Sequence, residues 1–297
     1  MADFKFQGTT PAVGNIKLGS SSVSKIYSGS TQVWPTSGCT GYVFADLNGL
    51  QIAVNLWTGT PAQKAEALST YGQIDEWCTG NVNSMKRLFK NKTTFNDDIS
   101  SWDVSSVIDM EEMFYNAWVF NQDIGAWDVS NVDDMQYMFR EARVFNQDIG
   151  AWNVSSVATM QGMFWDAISF DKPIGDWDTS SVTDMSFMFY NGNGGKPYGP
   201  YAFNQDVGNW DMSSVTITRS MFVGCHLFNN GGSNSIKNWD VRNISRMDMS
   251  FTFYETEFNQ DITTWCVSHI ATSPPAFSEY APLTQANEPV WGTCPTV

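Results

Sequence analysis

Apolar and polar positions along the chain follow one recurring order. Residues 119–139 read VFNQDIGAWDVSNVDDMQYMF, and residues 144–164 read VFNQDIGAWNVSSVATMQGMF, the same order 25 residues later. In WDVSNV, Trp127, Val129 and Val132 alternate with Asp and Ser, which predicts a short strand and a turn. In VDDMQYMFREA, Met135, Met138, Phe139 and Ala142 stand at i, i+3, i+4 and i+7. That spacing predicts one face of a short helix, with Asp133 or Asp134 as its N-cap. FNQDI then carries the chain into the next unit.

Aligned on the Phe of FNQD, units begin at Phe95, Phe120, Phe145, Phe170, Phe203, Phe228 and Phe258. The step is 25 residues three times, then 33, 25 and 30. Trp77, Trp102, Trp127, Trp152, Trp177, Trp210, Trp239 and Trp265 form a parallel series. A unit of this length holds too few apolar side chains to offset the entropy of ordering itself, so units must stack and share their faces. The fold class expected is therefore an α/β repeat solenoid of about eight coils, with short parallel strands and short helices. Pairs such as Met110/Met113 and Met160/Met163 read as core filler. The Asn series (Asn96, Asn121, Asn146, Asn204, Asn229, Asn259) reads as a ladder of amides bonding backbone groups of adjacent coils.

The unit FNQDIxxWDVSxVxDMxxMFxxA resembles the repeat of the BspA-like leucine-rich-repeat surface proteins of bacteria, over about Gly72 to Ser278. The resemblance implies a right-handed β/α solenoid related to leucine-rich repeats, used for adhesion or binding, and no catalysis.

Five cysteines refine the picture at the ends: Cys39, Cys78, Cys225, Cys266 and Cys294. Cys78 and Cys266 each follow a Trp of the series, in the slot where middle units carry Asp or Asn. The expectation is a Cys39–Cys78 staple on the first cap, a Cys266–Cys294 staple on the last, and an unpaired Cys225 in the core. Sequence alone leaves the connectivity open. A zinc site is the rival, although no Cys-x-x-Cys or His pair supports it. Disulfides would imply a final location outside the cell.

The first 36 residues differ in character. They are rich in Gly, Ser and Thr, and short alternating runs (Ile16–Leu18, Val23–Tyr27, Gln32–Trp34) predict a small all-β module. IYSGSTQVWP resembles the short amino-terminal modules of virion structural proteins of tailed phages. The opening MADFKFQGTTPAVGNIKLG has neither a basic head nor an apolar core, so no secretory signal is expected. The expected organisation is a β-rich docking module over 1–36, a linker and helical cap over 37–71, the solenoid over 72–278 and a carboxy-terminal cap over 279–297.

Asp and Glu number 31 against 16 Lys and Arg, a formal net charge of −15. That field repels phosphate backbones and anionic lipid, which disfavours nucleic acid and membrane insertion. Asp103, Asp128, Asp178, Asp211 and Asp240, with Asn153 between, follow the tryptophans as an acidic ladder. Neighbouring charges at such spacing repel by about 1 kcal/mol in water. Two readings offset this: Asx-turns in DVS, each carboxylate bonding the N–H two residues on, or bound Ca²⁺ or sugar hydroxyls. Ca²⁺ is the one candidate cofactor.

Two insertions, NGNGGKPYGPYA (191–202) and NNGGSNSIK (229–237), lengthen single units. Insertions in solenoids fall on one surface and often bind. Tyr198 and Tyr201 could stack on a sugar or a partner's ring, or belong to a tolerated surface loop. Catalytic chemistry is not visible. His226 and His269 lack repeated partners, Cys225 beside His226 reads as packing, and GNGGKP lacks the Gly-Lys-Ser/Thr ending of a phosphate loop. The expected function is a non-catalytic structural protein of a tailed-phage virion: tail fibre, adhesin or capsid decoration. Residues 1–36 would contact other virion proteins, a homo-oligomer being left open, and the solenoid would face a host-surface glycan or protein. The alternatives are a BspA-like adhesin on the bacterial surface and a polysaccharide-degrading phage spike.

Overall fold

The computed structural model describes residues 39–192 and 202–295, and before them the backbone of five short strand segments. Successive units stack as coils of one column. Single-residue parallel bridges join Ser84 to Asp109, Asp109 to Asp134, Asp134 to Thr159, Thr159 to Asp184 and Asp184 to Ile217. Inside the column, like side chains lie on like. Phe89, Phe114, Phe139, Phe164, Phe189, Phe222 and Phe253 form one stack with ring centroids 5.4–5.7 Å apart. Phe95, Phe120, Phe145, Phe170, Phe203, Phe228 and Phe258 form a second, 5.9–6.2 Å apart. Within a coil the two stacks touch, as at Phe114 and Phe120, 4.0 Å apart. The tryptophans line a third column, each buried, and from Trp102 onward each donates its indole N–H to a carbonyl of the coil before it, as in Trp127 to Ile99, Trp152 to Ile124 and Trp177 to Ile149. A buried indole N–H needs such a partner.

The segment expected to be helical is not. Met110, Met113, Phe114 and Ala117 are all fully buried, as the spacing predicts. The backbone, however, is a ribbon of overlapping tight turns. Met113, Tyr115 and Ala117 donate within the coil to the residue three before, whereas Met110, Glu112, Phe114 and Asn116 donate across it to Asp134, Gln136, Met138 and Arg140. An α-helix would use every N–H internally and hold neighbouring helices 8–10 Å apart. Coils whose rings stack 5.4–6.2 Å apart leave no room for that. Glu112 and Asn116 take positive φ, 55° and 61°, as the third residue of a type II-like turn requires.

The two α-helices among the described residues both precede the first coil. They are α1 (Leu47–Trp57), capped by the Asp46 side chain, and α2 (Pro61–Tyr71), opened by a Thr60/Gln63 capping box. Leu50, Ala53, Val54 and Trp57 form the buried face of α1. They close the column: Trp57 meets Trp77 edge-on at 5.7 Å, and Gln51 Nε2 donates to the Leu88 carbonyl at 3.0 Å. At the far end Phe277 lies edge-on to Phe253, Trp265 and Trp291, ending the parallel stacking. Disulfides join Cys39 to Cys78 and Cys266 to Cys294, and Cys225 is free and buried.

The expected fold class is thus corrected. The repeat region is a solenoid, but its described coils contain neither strands nor α-helices; they are built of isolated bridges and turns, with short 3-10 helices at Ile74–Glu76, Asn230–Gly232 and Asn234–Asn238. Over residues 1–36 the structure describes β1 (Phe4–Phe6), β2 (Lys17–Leu18), β3 (Ser21–Ser22), β4 (Ile26–Ser28) and β5 (Thr31–Trp34). The chain between them lies outside the described residues, so no all-β module is described there.

Candidate functional site

Each coil is cornered by short polar side chains that fold back on their own backbone. Asp103, Asp128, Asp178, Asp211 and Asp240 each accept the N–H two residues on, from Ser105, Ser130, Ser180, Ser213 and Arg242. Bonds from the Ser130 and Ser180 hydroxyls, then from their N–H groups, hold Asp128 and Asp178 below the ordinary carboxylate range. For Asp240 the Arg242 side chain does the same. The acidic ladder therefore lies as a series of Asx-turns, with one oxygen of each carboxylate bonded locally. A second series escaped the sequence reading: Asp98, Asp123, Asp148, Asp206 and Asp261 bond Ser100, Gly125, Gly150, Gly208 and Thr263 in the same way. A shallow groove of about 740 Å³ runs along it, lined by Asp123, Asp148, Asp176 and Asp206 among others. The FNQD motif carries both this Asp and the amide ladder. Asn146, Asp171 and Asn204 take their backbone N–H groups onto the side-chain oxygens of Asn121, Asn146 and Asp171.

The oxygens of Asp109, Glu111 and Asp134 lie within 4.8 Å of one another. Lys86 bonds Glu111 and stands 3.9 Å from Asp109, so a lysine ammonium already supplies the counter-charge. Burial raises Asp134.

The turn ribbon carries its own outward face. Its positive-φ slot is filled by Glu112, Tyr137, Gly162 and Phe187 in four successive coils, and the slot three residues later by Tyr115, Arg140, Trp165 and Tyr190. The side chains are part-exposed, and their rings converge. Trp165 lies 5.3 Å from Phe187 and 4.7 Å from Tyr190, and Tyr137 lies 6.3 Å from Trp165. The Arg140 guanidinium sits 4.0 Å from the Trp165 ring and 5.0 Å from that of Tyr115. Its Nε is buried without a hydrogen-bond partner. Gly162 permits this arrangement, because a Cβ there would run into the Tyr137 ring. Sequence reasoning missed the strip. Its signal is columnar: once units are aligned, these slots vary in every coil while the flanking apolar slots do not.

Tyr198 and Tyr201 lie outside the described residues. Cys225 is no nucleophile: its thiol donates to the Phe189 carbonyl at 2.8 Å, and burial pushes it well up. His226 is exposed beside Glu255, Glu257 and Tyr280, and His269 Nε2 meets the Ile244 carbonyl at 2.8 Å. No helix among the described residues is long and apolar enough to cross a membrane.

Fold and surface together define a capped, disulfide-stapled repeat solenoid built from stacked turns. Family comparison adds the second step. The family described as "Mycoplasma protein of unknown function, DUF285" matches residues 62–166, 122–196, 148–265 and 197–293, and the chain belongs to it. The matches run over the repeats and support their BspA-like character. No curated protein and no solved structure matches the chain.

Proposed function

We propose that the chain is a non-catalytic recognition protein displayed outside the cell, as a structural component of a tailed-phage virion. In this reading residues 1–36 dock to the particle and the solenoid faces the host surface. The observation that carries the recognition role is the closure of both column ends by α1 and by Phe277, each beside a disulfide. Closed ends cannot propagate stacking, which leaves the lateral faces for partners. The disulfides favour an oxidising final location. Virion placement rests on the sequence resemblance of residues 1–36. Mass spectrometry of gradient-purified particles tests it: the chain should co-purify with infectivity, and its absence sinks the placement.

A second reading, a cellular adhesin, rests on the resemblance of the repeats to those of BspA-like bacterial surface proteins. Protease shaving of intact bacteria should then release fragments of the solenoid. In either reading a polysaccharide panel should keep its chain lengths after incubation with the protein, and shortening would overturn the non-catalytic role.

A further inference from the structure

The strip on the turn ribbon holds rings where the backbone does not favour them. Tyr137 and Phe187 have φ of 53° and 58°. That region suits glycine and strains bulky side chains. The coil between them shows the unstrained solution, Gly162 at φ 56° in the same slot. The slot also takes positive φ at Arg87, Glu112, Ser220 and Phe251, so the local cost belongs to the coil; what is particular to Tyr137 and Phe187 is that their rings lie on either side of Trp165 in neighbouring coils. The side chains around them are equally selective. Inside the column the same coils repeat Phe114, Phe139, Phe164 and Phe189 without change, whereas the outward slots assemble five rings and one guanidinium in neighbouring coils.

We infer that Tyr115, Tyr137, Arg140, Trp165, Phe187 and Tyr190 form a binding site for a neutral glycan, with sugar rings stacked on the aromatic faces and hydroxyls bonded by Arg140 and the flanking carboxylates. This deepens the recognition role proposed above and rests on it. Aromatic faces combined with polar edges suit a ligand that is apolar on its ring faces and hydroxylated around them. Charge selects among such ligands. Lys86, Arg87 and Lys90 are paired with Glu111 and Glu112, and Arg143 with Glu141. Asp184, Glu112 and Glu111 also act electrostatically on Tyr137. An anionic ligand would meet these carboxylates and cations that are already engaged, whereas a neutral polyol meets acceptors and the Arg140 donors. A peptide adding as a strand needs a free backbone edge. Here the N–H groups of Met135, Tyr137, Phe139 and Glu141 already donate to the next coil.

The test uses the full chain on a printed array of neutral, sialylated and phosphorylated oligosaccharides and of Pro-rich peptides, followed by calorimetric titration of the strongest neutral hit. Trp165→Ala and Phe187→Gly should each weaken that binding about ten-fold or more. Phe187→Gly should leave the thermal midpoint no lower than that of the native chain, because the strained φ is relieved. Undiminished binding by both variants overturns the site and leaves the recognition role standing. So does a Phe187→Gly protein that loses binding only together with its folded state, as a structural ring would. Exclusive binding of anionic glycans or peptides overturns the ligand class. If the native chain binds neither the array nor intact host cells, the inference falls together with the recognition role.

Discussion

The inner and outer sides of one turn ribbon share a backbone and obey opposite rules. On the inside, Phe114, Phe139, Phe164 and Phe189 recur unchanged, because each ring is floor and ceiling to its neighbours at 5.5–5.7 Å. Two residues earlier, the outward slot changes in every coil, from Glu112 to Tyr137 to Gly162 to Phe187. Stacking constrains only the side chains that touch the coils above and below. A repeat protein can therefore hold its scaffold constant and vary its recognition surface within the same few residues.

Four experiments break or sharpen that contrast. Phe139→Ala removes a ring held between Phe114, Phe145 and Phe164, and should cost about 3–5 kcal/mol in guanidinium unfolding. A loss below about 1 kcal/mol, the scale of a surface change, would show that the stack does not hold the column together. Replacing Cys39 and Cys78 together by Ala should cost about 2–4 kcal/mol. Hydrogen exchange should then show α1, α2 and the coil of Trp77 opening before the middle coils. Asn146→Ala leaves the Asp171 N–H without its acceptor and should cost about 1–3 kcal/mol. An unchanged denaturation midpoint would mean that water takes over the ladder.

The smallest effect is on pH dependence, and its sign differs between coil corners and part-buried sites. Asp128 and Asp178, held low by Ser130 and Ser180, add stability above the unfolded carboxylate pKa and lose it as pH falls through their folded values. Burial raises Asp134 and Asp166, so their ionised forms oppose folding. As pH falls through their raised values that opposition ends, and the thermal midpoint should rise slightly before the acid loss begins. Asp134→Asn combined with Asp166→Asn should erase the rise and keep the loss. A rise that persists in the double variant would refute the assignment.

Much of the scaffold was legible beforehand. The period, the columns of Trp and Phe, the amide ladder, the Asx-turns after the Trp of the middle coils and the cysteines that replace them in the end coils are all carried by side-chain identity at a fixed spacing. The strip around Trp165 was not legible in any one unit, since Tyr137, Trp165 and Phe187 belong to three different coils and meet only through their register. The helix expectation failed for a related reason. Burial at i, i+3, i+4 and i+7 is common to an α-helix and to a ribbon of three-residue turns, and the two differ only in where alternate N–H groups donate. The sequence by itself determined that the units repeat, what they bury and how each corner turns. Only the tertiary structure decided that every second N–H leaves its own coil and which outward rings become neighbours, because both depend on how near the next coil lies, and no single unit carries that distance.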